Sequence, residues 1–168
     1  MKRKCTLILL AGLLLLTLTG CTQTQPDIAR VTITHTLEGI DGKAFRIDLE
    51  DGTFYSYFNY NMDPADARDP NAPNEGYTFV KDLGREDAAL FRKTAKQNGF
   101  TGWFTDGKVY GKDPAERLVW TIRLVYTDGT EAKITGAFDR PDTWSEMNDA
   151  FTALTGEIVL EPGRTSYR

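Results

Sequence analysis

Few residues of this chain could carry out acid–base, nucleophilic or metal chemistry. His35 is the only histidine, so a zinc site would need more histidine or cysteine ligands than the chain supplies. His35 alternates with Val31 and Ile33, and this pattern favours a place in the core or at a sheet edge. The serines lie in no nucleophile-elbow sequence, so a serine hydrolase triad is not indicated; they are Ser56, Ser145 and Ser166.

Acidic and amide side chains crowd the segment 61–76, where three prolines also occur. Such oxygen ligands suit calcium, but their spacing does not match an EF-hand loop. The same residue types make up solvated turns. We predict no metal site and no cofactor, while calcium binding by this segment is left open. The residues concerned are Asp63, Asp66, Asp69, Asn71, Asn74 and Glu75.

Aromatic residues are concentrated at 54–60. On a strand, Phe54, Phe58 and Tyr60 would share one face, while Tyr55 and Tyr57 would share the other. One face must enter the core. We predict that Tyr55 and Tyr57 bind a ligand, because exposed aromatic rings stack on sugars and anchor protein interfaces. The alternative is that a helix packs over them.

Carboxylate pairs are the usual machinery of glycoside hydrolysis. The chain has 24 Asp and Glu residues, so pairs can always be found and their presence does not indicate an enzyme. A glycine-rich phosphate-binding loop is also missing from the sequence.

The N-terminus contains a cysteine in a distinctive setting. Lys2, Arg3 and Lys4 precede an apolar run that ends in Leu18-Thr19-Gly20-Cys21. A charged start, a short apolar segment and small residues at its end are typical of a secretory signal, and a spanning helix would need about 20 apolar residues. A thiolate is the side-chain nucleophile that can accept a lipid as a thioether.

This tetrad resembles the lipobox of bacterial lipoproteins that signal peptidase II cleaves. The resemblance implies cleavage between Gly20 and Cys21 and a diacylglyceryl group on the Cys21 thiol. It also implies a membrane-anchored protein on the extracytoplasmic side of the cell membrane, with palmitate among its lipids. An ordinary signal peptide and an uncleaved anchor are the alternatives.

Cleavage would leave 148 residues, which form one domain of ordinary size. We predict a lipidated tether at 21–29 and a single domain at 30–168. Loss of the basic residues of the signal changes the formal net charge from −4 to −7. A domain this acidic disfavours nonspecific binding of nucleic acid.

Alternating apolar residues predict strands at 30–37, 45–50 and 53–60, joined by turns at Asp41-Gly42 and Asp51-Gly52. A short strand is predicted at 77–80, a small hairpin at 100–111, and the most regular strand, expected to be central, at 118–126. Asp128-Gly129 then leads into a return strand, and Ile158 to Leu160 is predicted to be a last edge strand.

Helices are predicted at about 85–98 and 143–155. Asn98-Gly99 and Gly156 supply their C-terminal ends, and Thr143 with Glu146 matches a capping box. The buried stripe of the second helix is predicted to contain Trp144, Met147, Phe151 and Leu154. All three tryptophans, Trp103, Trp120 and Trp144, are predicted to lie in the core.

This order of elements predicts an α+β fold, with one antiparallel sheet built from hairpins and both helices packed on one face. Roughly the C-terminal third loosely resembles small uncharacterised lipoproteins of Gram-positive anaerobes, which implies no activity. We expect a non-catalytic module that binds a protein, peptide or glycan at the cell envelope. The alternatives are an envelope-polymer hydrolase that uses a carboxylate pair and a purely structural or inhibitory module.

Overall fold

The computed structural model describes residues 26–37, 40–58, 77–105, 110–111, 118–137 and 139–161. The lipobox, Cys21, the acidic segment 61–76 and Ser166 lie outside these residues. The predicted α+β fold is confirmed. The described chain contains six strands and two α-helices, with the helices following the fourth and sixth strands.

The six strands form one open antiparallel sheet in the order β4-β3-β2-β1-β5-β6. Strands β1, β2 and β3 form consecutive hairpins, and β5 pairs with the far side of β1 to extend the sheet. Strand β5, which the sequence predicts to be central, is paired on both sides but lies next to the edge strand β6, and the two middle strands are β2 and β1. The strands are β1 (Ile28–Leu37), β2 (Ile40–Asp48), β3 (Thr53–Phe58), β4 (Thr78–Asp82), β5 (Leu118–Tyr126) and β6 (Glu131–Gly136).

The two helices are α1 (Arg85–Gln97) and α2 (Trp144–Thr155), close to the predicted bounds. Gly99 and Gly156 follow their C-terminal ends with φ of 63° and 79°, a left-handed conformation that glycine adopts without strain.

The predicted capping box of α2 is wrong. Thr143 does precede the helix, but its hydroxyl makes no capping bond. The hydroxyl instead donates to the backbone oxygen of Asn98 at 2.9 Å and accepts a hydrogen bond from the indole of Trp103 at 3.1 Å. Tertiary partners have therefore replaced the local one, and Thr143 joins α2 to the end of α1.

One apolar core fills the space between the sheet and the helices. From the sheet it takes alternate residues, including Val31, Ile33, Phe45, Ile47, Phe54, Trp120, Ile122 and Leu124. The helices contribute Phe91 and Phe151, whose ring centroids lie 4.7 Å apart. Because all of these belong to a single cluster, both helices pack on the same face of the sheet.

The three tryptophans are buried, as predicted. Trp103 stacks on Trp144 with ring centroids 5.6 Å apart, and Trp120 lies 4.8 Å from Trp144. The small hairpin predicted at 100–111 is wrong at its start, since Phe100–Phe104 is a 3-10 helix. Phe100 and Trp103 of this helix point into the core, and residues 106–109 of the predicted hairpin lie outside the described residues.

The boundaries of β1, β2 and β4 differ from the prediction by a few residues. Strand β1 begins at Ile28, because Ile28 and Ala29 are already buried, 5% and 6% exposed. The predicted turn at Asp41-Gly42 is wrong, since both residues lie inside β2, whose pairing with β1 shifts register between His35 and Thr36.

The segment 158–160 is not the predicted edge strand, because β4 and β6 form the edges of the sheet. Val159 and Leu160 are fully buried, and they pack into the core without joining the sheet. Within the described ranges, neither helix combines the length and the apolar character needed to cross a membrane.

Candidate functional site: the open face of the sheet

The second face of the sheet carries no helix in the described part of the chain. We call this surface the open face. It contains the strand residues that alternate with the core residues, so its composition follows from the period of two in each strand. Its members on β1, β2 and β3 are Arg30, Thr32, Thr34, Thr36, Ala44, Arg46, Asp48, Thr53, Tyr55 and Tyr57.

Strand register arranges part of this face into one row that crosses all six strands. Each residue of the row is directly opposite the next one on the neighbouring strand, so their side chains are close neighbours on the same face. At a spacing of about 4.8 Å between strands, the row is about 24 Å long. We call it the central row; in order from β6 to β4 it contains Lys133, Arg123, Thr32, Arg46, Tyr55 and Phe79.

The central row has a basic half and an aromatic half. Lys133 and Arg123 lie on the β6 side, while Tyr55 and Phe79 lie on the β4 side. Arg46 lies at the junction, where its guanidinium carbon is 5.5 Å from the centre of the Tyr55 ring. This cation–π contact orients both side chains.

The aromatic half is extended by the neighbouring rings. Tyr55 packs edge-on against Phe79 with centroids 5.8 Å apart, and Tyr57 lies 6.0 Å from Tyr77. Both predicted ligand-binding tyrosines are half-buried on the open face, and Phe79 is 51% exposed. These four residues, which we call the aromatic cluster, offer apolar ring surface beside charged groups.

Arg46 is incompletely paired at the centre of the face. Among the described residues, the carboxylate oxygen nearest to Arg46 Nη2 is Asp48 Oδ2, at 3.6 Å. The same oxygen already accepts two hydrogen bonds from Arg30, at 2.9 and 2.7 Å. Among the described residues, Arg46 Nε is buried and has no hydrogen-bond partner, which is costly for a charged group.

Asp48 is the buried acid of this face. Burial opposes its ionisation, but the backbone amide of Asp51, the hydrogen bonds of Arg30 and the charges of Arg30 and Arg46 outweigh it and lower its pKa. Asp48 is therefore ionised at neutral pH, and it accepts hydrogen bonds from Arg30 but not from Arg46. Its row lies at the end of the sheet where β1 begins, and Asp82 and Glu131 are in the same row.

A row of hydroxyl groups lies on the other side of the central row. Thr34 is opposite Thr121, and Thr121 is opposite Thr135, with 3.1 Å between the hydroxyls of Thr121 and Thr135. This row continues through Ala44 to Tyr57. Hydroxyls both donate and accept hydrogen bonds, so this part of the face suits a polar ligand.

His35 belongs to the core face, not to the open face. It is 3% exposed, and its Nε2 donates to the backbone oxygen of Val159 at 2.8 Å. Burial lowers its pKa, the hydrogen bond to Val159 opposes this effect, and the charge of Lys43 adds to it. The prediction of a core histidine is confirmed.

The other groups considered for chemistry are not brought together in the described part of the chain. Ser56 lies in register with the core residue Phe45, and Ser145 is exposed on α2. The two acids with a perturbed pKa in this part are Asp48 and Asp128; hydrogen bonds from Thr130 lower that of Asp128. A general acid requires the opposite shift. Three or more potential metal ligands do not cluster within the described ranges.

Sequence reasoning found Tyr55 and Tyr57 but missed Arg46, Arg123 and Phe79. Arg46 lies between Phe45 and Ile47, and Arg123 lies between Ile122 and Leu124. A basic residue between two core residues of a strand must point to the opposite face, so the period of two could have placed both. Their position next to the tyrosines depends on strand order, which the pattern does not contain.

Comparison with known proteins finds no family model that matches the chain and no significantly similar curated protein. The functional conclusion therefore depends on the residues themselves.

Proposed function

We propose that this protein is a membrane-anchored extracytoplasmic lipoprotein whose α+β domain binds a ligand at the cell envelope and catalyses no reaction. The lipobox-like tetrad at 18–21 supports the anchoring. The observation that carries the binding role is the aromatic cluster on the open face, with Tyr55 and Tyr57 beside the exposed Phe79.

Exposed aromatic surface favours a binding module over a purely structural one. The exposed half of the Phe79 side chain does not stabilise the fold, because only apolar area that is removed from water contributes to stability. Contiguous apolar area rimmed by polar groups is characteristic of binding surfaces. The hydrolase alternative lacks a comparable supporting observation in the described residues, where the shifted carboxyl pKa values are lowered.

Anchoring can be tested by growing cells with labelled palmitate. We expect the full-length protein to take up the label and a Cys21→Ser variant to lose it, because the thiol is the acceptor. A Cys21→Ser protein that remains labelled would contradict the anchoring.

Binding through the open face can be tested in intact cells by placing a photo-reactive phenylalanine analogue at Phe79. The matched control carries it at Leu90, which is 60% exposed on α1 and so lies on the helix side of the sheet. We expect a cross-linked product from position 79 that is lost when Tyr55 is also changed to alanine. Equal cross-linking at positions 79 and 90 would contradict the proposal.

A further inference from the structure

The central row combines positive charges with aromatic rings across the six strands of the sheet. We infer that the open face binds an anionic glycan strand, which lies across the β-strands along the central row. Its sugar rings pack on Tyr55 and Phe79, and its acidic groups meet Arg46, Arg123 and Lys133. This inference rests on the proposed binding role and adds the chemical class of the ligand.

Charge complementarity is the first argument. The central row contains three cationic side chains and no acid, although the chain as a whole has a formal net charge of −4. The acids of the open face are in the neighbouring row, where Asp48 is bonded to Arg30 and Glu131 is paired with Arg123 of the central row. Among the described residues, Lys133 and Arg46 are therefore the two cations of the row that have no hydrogen bond to an acid, and their positive charge attracts an anion to this place.

The state of Arg46 is the second argument. Its Nε makes no hydrogen bond to the described residues, and the nearest carboxylate oxygen among them lies 3.6 Å from Nη2 and is shared with Arg30. A guanidinium binds carboxylate or phosphate groups through paired donors. The Arg46 side chain is 12% exposed, and an acidic group of the ligand would meet the guanidinium through this exposed part.

The aromatic and hydroxyl groups are the third argument, and they point to sugar. The apolar faces of pyranose rings pack on aromatic rings such as Tyr55 and Phe79, and the threonine row next to them can exchange hydrogen bonds with sugar hydroxyls. A linear chain of pyranose rings has a repeat close to the spacing of neighbouring strands. Successive rings can thus lie over successive strands and meet the exposed side chains of the row, while Thr32, which is 4% exposed, lies beneath them.

Two polymers with one backbone test the charge requirement. The detergent-extracted full-length protein is measured against immobilised carboxymethyl cellulose, which is anionic, and hydroxyethyl cellulose, which is neutral. We expect binding of the anionic polymer to be roughly tenfold tighter, and the difference to disappear near 1 M salt, where charges are screened beyond about 3 Å. Polyglutamate and single-stranded DNA are the controls, because both are anionic polymers that contain no pyranose rings. We expect both to bind more weakly than carboxymethyl cellulose.

Charge reversal at an exposed position tests the location. Lys133 is exposed on β6, so Lys133→Glu should fold normally and bind carboxymethyl cellulose roughly threefold to tenfold more weakly. Lys93→Glu makes the same change at an exposed position of α1 and should bind as the wild type does. Tyr55→Ala should weaken binding of both cellulose derivatives by about tenfold. Thermal unfolding of each variant shows whether its fold is retained.

The outcomes separate this inference from the proposed function. Equal affinity for the two cellulose derivatives, with loss on Tyr55→Ala, overturns the anionic ligand and leaves the binding role in place. If polyglutamate or DNA binds as tightly as carboxymethyl cellulose or more tightly, the assignment of the ligand as a glycan is overturned. No binding to either cellulose derivative overturns the glycan ligand and leaves the binding role to the cross-linking test at Phe79. Binding that Tyr55→Ala leaves unchanged shows that the aromatic cluster is not used, and it overturns both proposals.

Discussion

At the scale of single residues, His35 shows how a polar group is accommodated in an apolar core. A carbonyl oxygen only accepts hydrogen bonds, so the bond to Val159 requires the proton to be on Nε2. Nδ1 is then unprotonated, and it is buried without a partner among the described residues. Adding a proton there would place a charge in the core, beside Lys43 on the neighbouring strand.

This arrangement predicts an acid-sensitive stability. Because burial lowers the pKa of His35 in the folded protein, the unfolded chain binds a proton first as the pH falls below about 6.5. The free energy of unfolding should be constant above that pH and decrease below it, by at most about 1.4 kcal/mol per pH unit. Urea denaturation between pH 5 and 8 measures the slope.

The control is His35→Gln, which can donate to Val159 but does not titrate. Since His35 is the only histidine, the slope should disappear in this variant. A slope of the same size in both proteins would show that another group is responsible.

At the scale of elements, the edge strand β6 depends on a residue without a side chain. Gly136 is directly opposite Trp120 of β5. A Cβ atom built on Gly136 would lie 2.7 Å from Trp120 Cε2 and 2.7 Å from Tyr110 Cβ. Both distances are shorter than van der Waals contact, so glycine is what allows the indole to lie against β6 and donate to Ala137 O at 3.0 Å.

Gly136→Ala should therefore lower the free energy of unfolding by about 1–3 kcal/mol, because the added methyl group overpacks a filled site. Gly102→Ala is the control, since its Cβ would meet nothing within 4 Å and should change stability by less than about 0.5 kcal/mol. Chemical denaturation measures both. Equal small effects would mean that Trp120 moves aside without cost.

At the scale of the whole molecule, the chain closes its core with the segment that follows α2. The backbone of Val159 bonds to His35, 124 residues earlier in the sequence. Val159 and Leu160 are fully buried, whereas the preceding Ile158 is 54% exposed. The short irregular segment after α2 is thus hydrogen-bonded to strand β1 in the middle of the sheet.

Leu160→Ala should cost about 2–5 kcal/mol, as expected for a leucine truncated in a packed core. Ile158→Ala removes a similar number of carbon atoms from an exposed position and should change stability by less than about 0.5 kcal/mol. Thermal and urea unfolding of the two variants give the comparison. If Leu160→Ala were as stable as Ile158→Ala, the segment would not be part of the core.

Much of the architecture could be predicted from the sequence because it depends on neighbours along the chain. Alternation of apolar residues in β1, β3 and β5 predicted the positions of these strands and the residues that enter the core. The apolar stripe of α2 predicted that helix, and the glycines after both helices predicted where each helix ends. By the same local logic, Tyr55 and Tyr57 had to share a face opposite to Phe54.

Predictions failed where a distant group competed with a local one. Thr143 has the sequence of a capping residue, but Asn98 and Trp103 occupy its hydroxyl. The segment 158–160 has the composition of a strand, but both edges of the sheet are formed elsewhere and its apolar side chains fill the core instead.

The sequence by itself determined which face of each strand a residue occupies, since a period of two leaves no other choice. It also supplied the lipobox-like tetrad at 18–21 and its expected lipid on Cys21. Only the tertiary structure decided that β1 lies between β2 and β5, because pairing of strands far apart in sequence depends on the packing of the whole core. That order places Arg123 and Lys133 in one row with Arg46 and Tyr55, and so it creates the proposed binding surface.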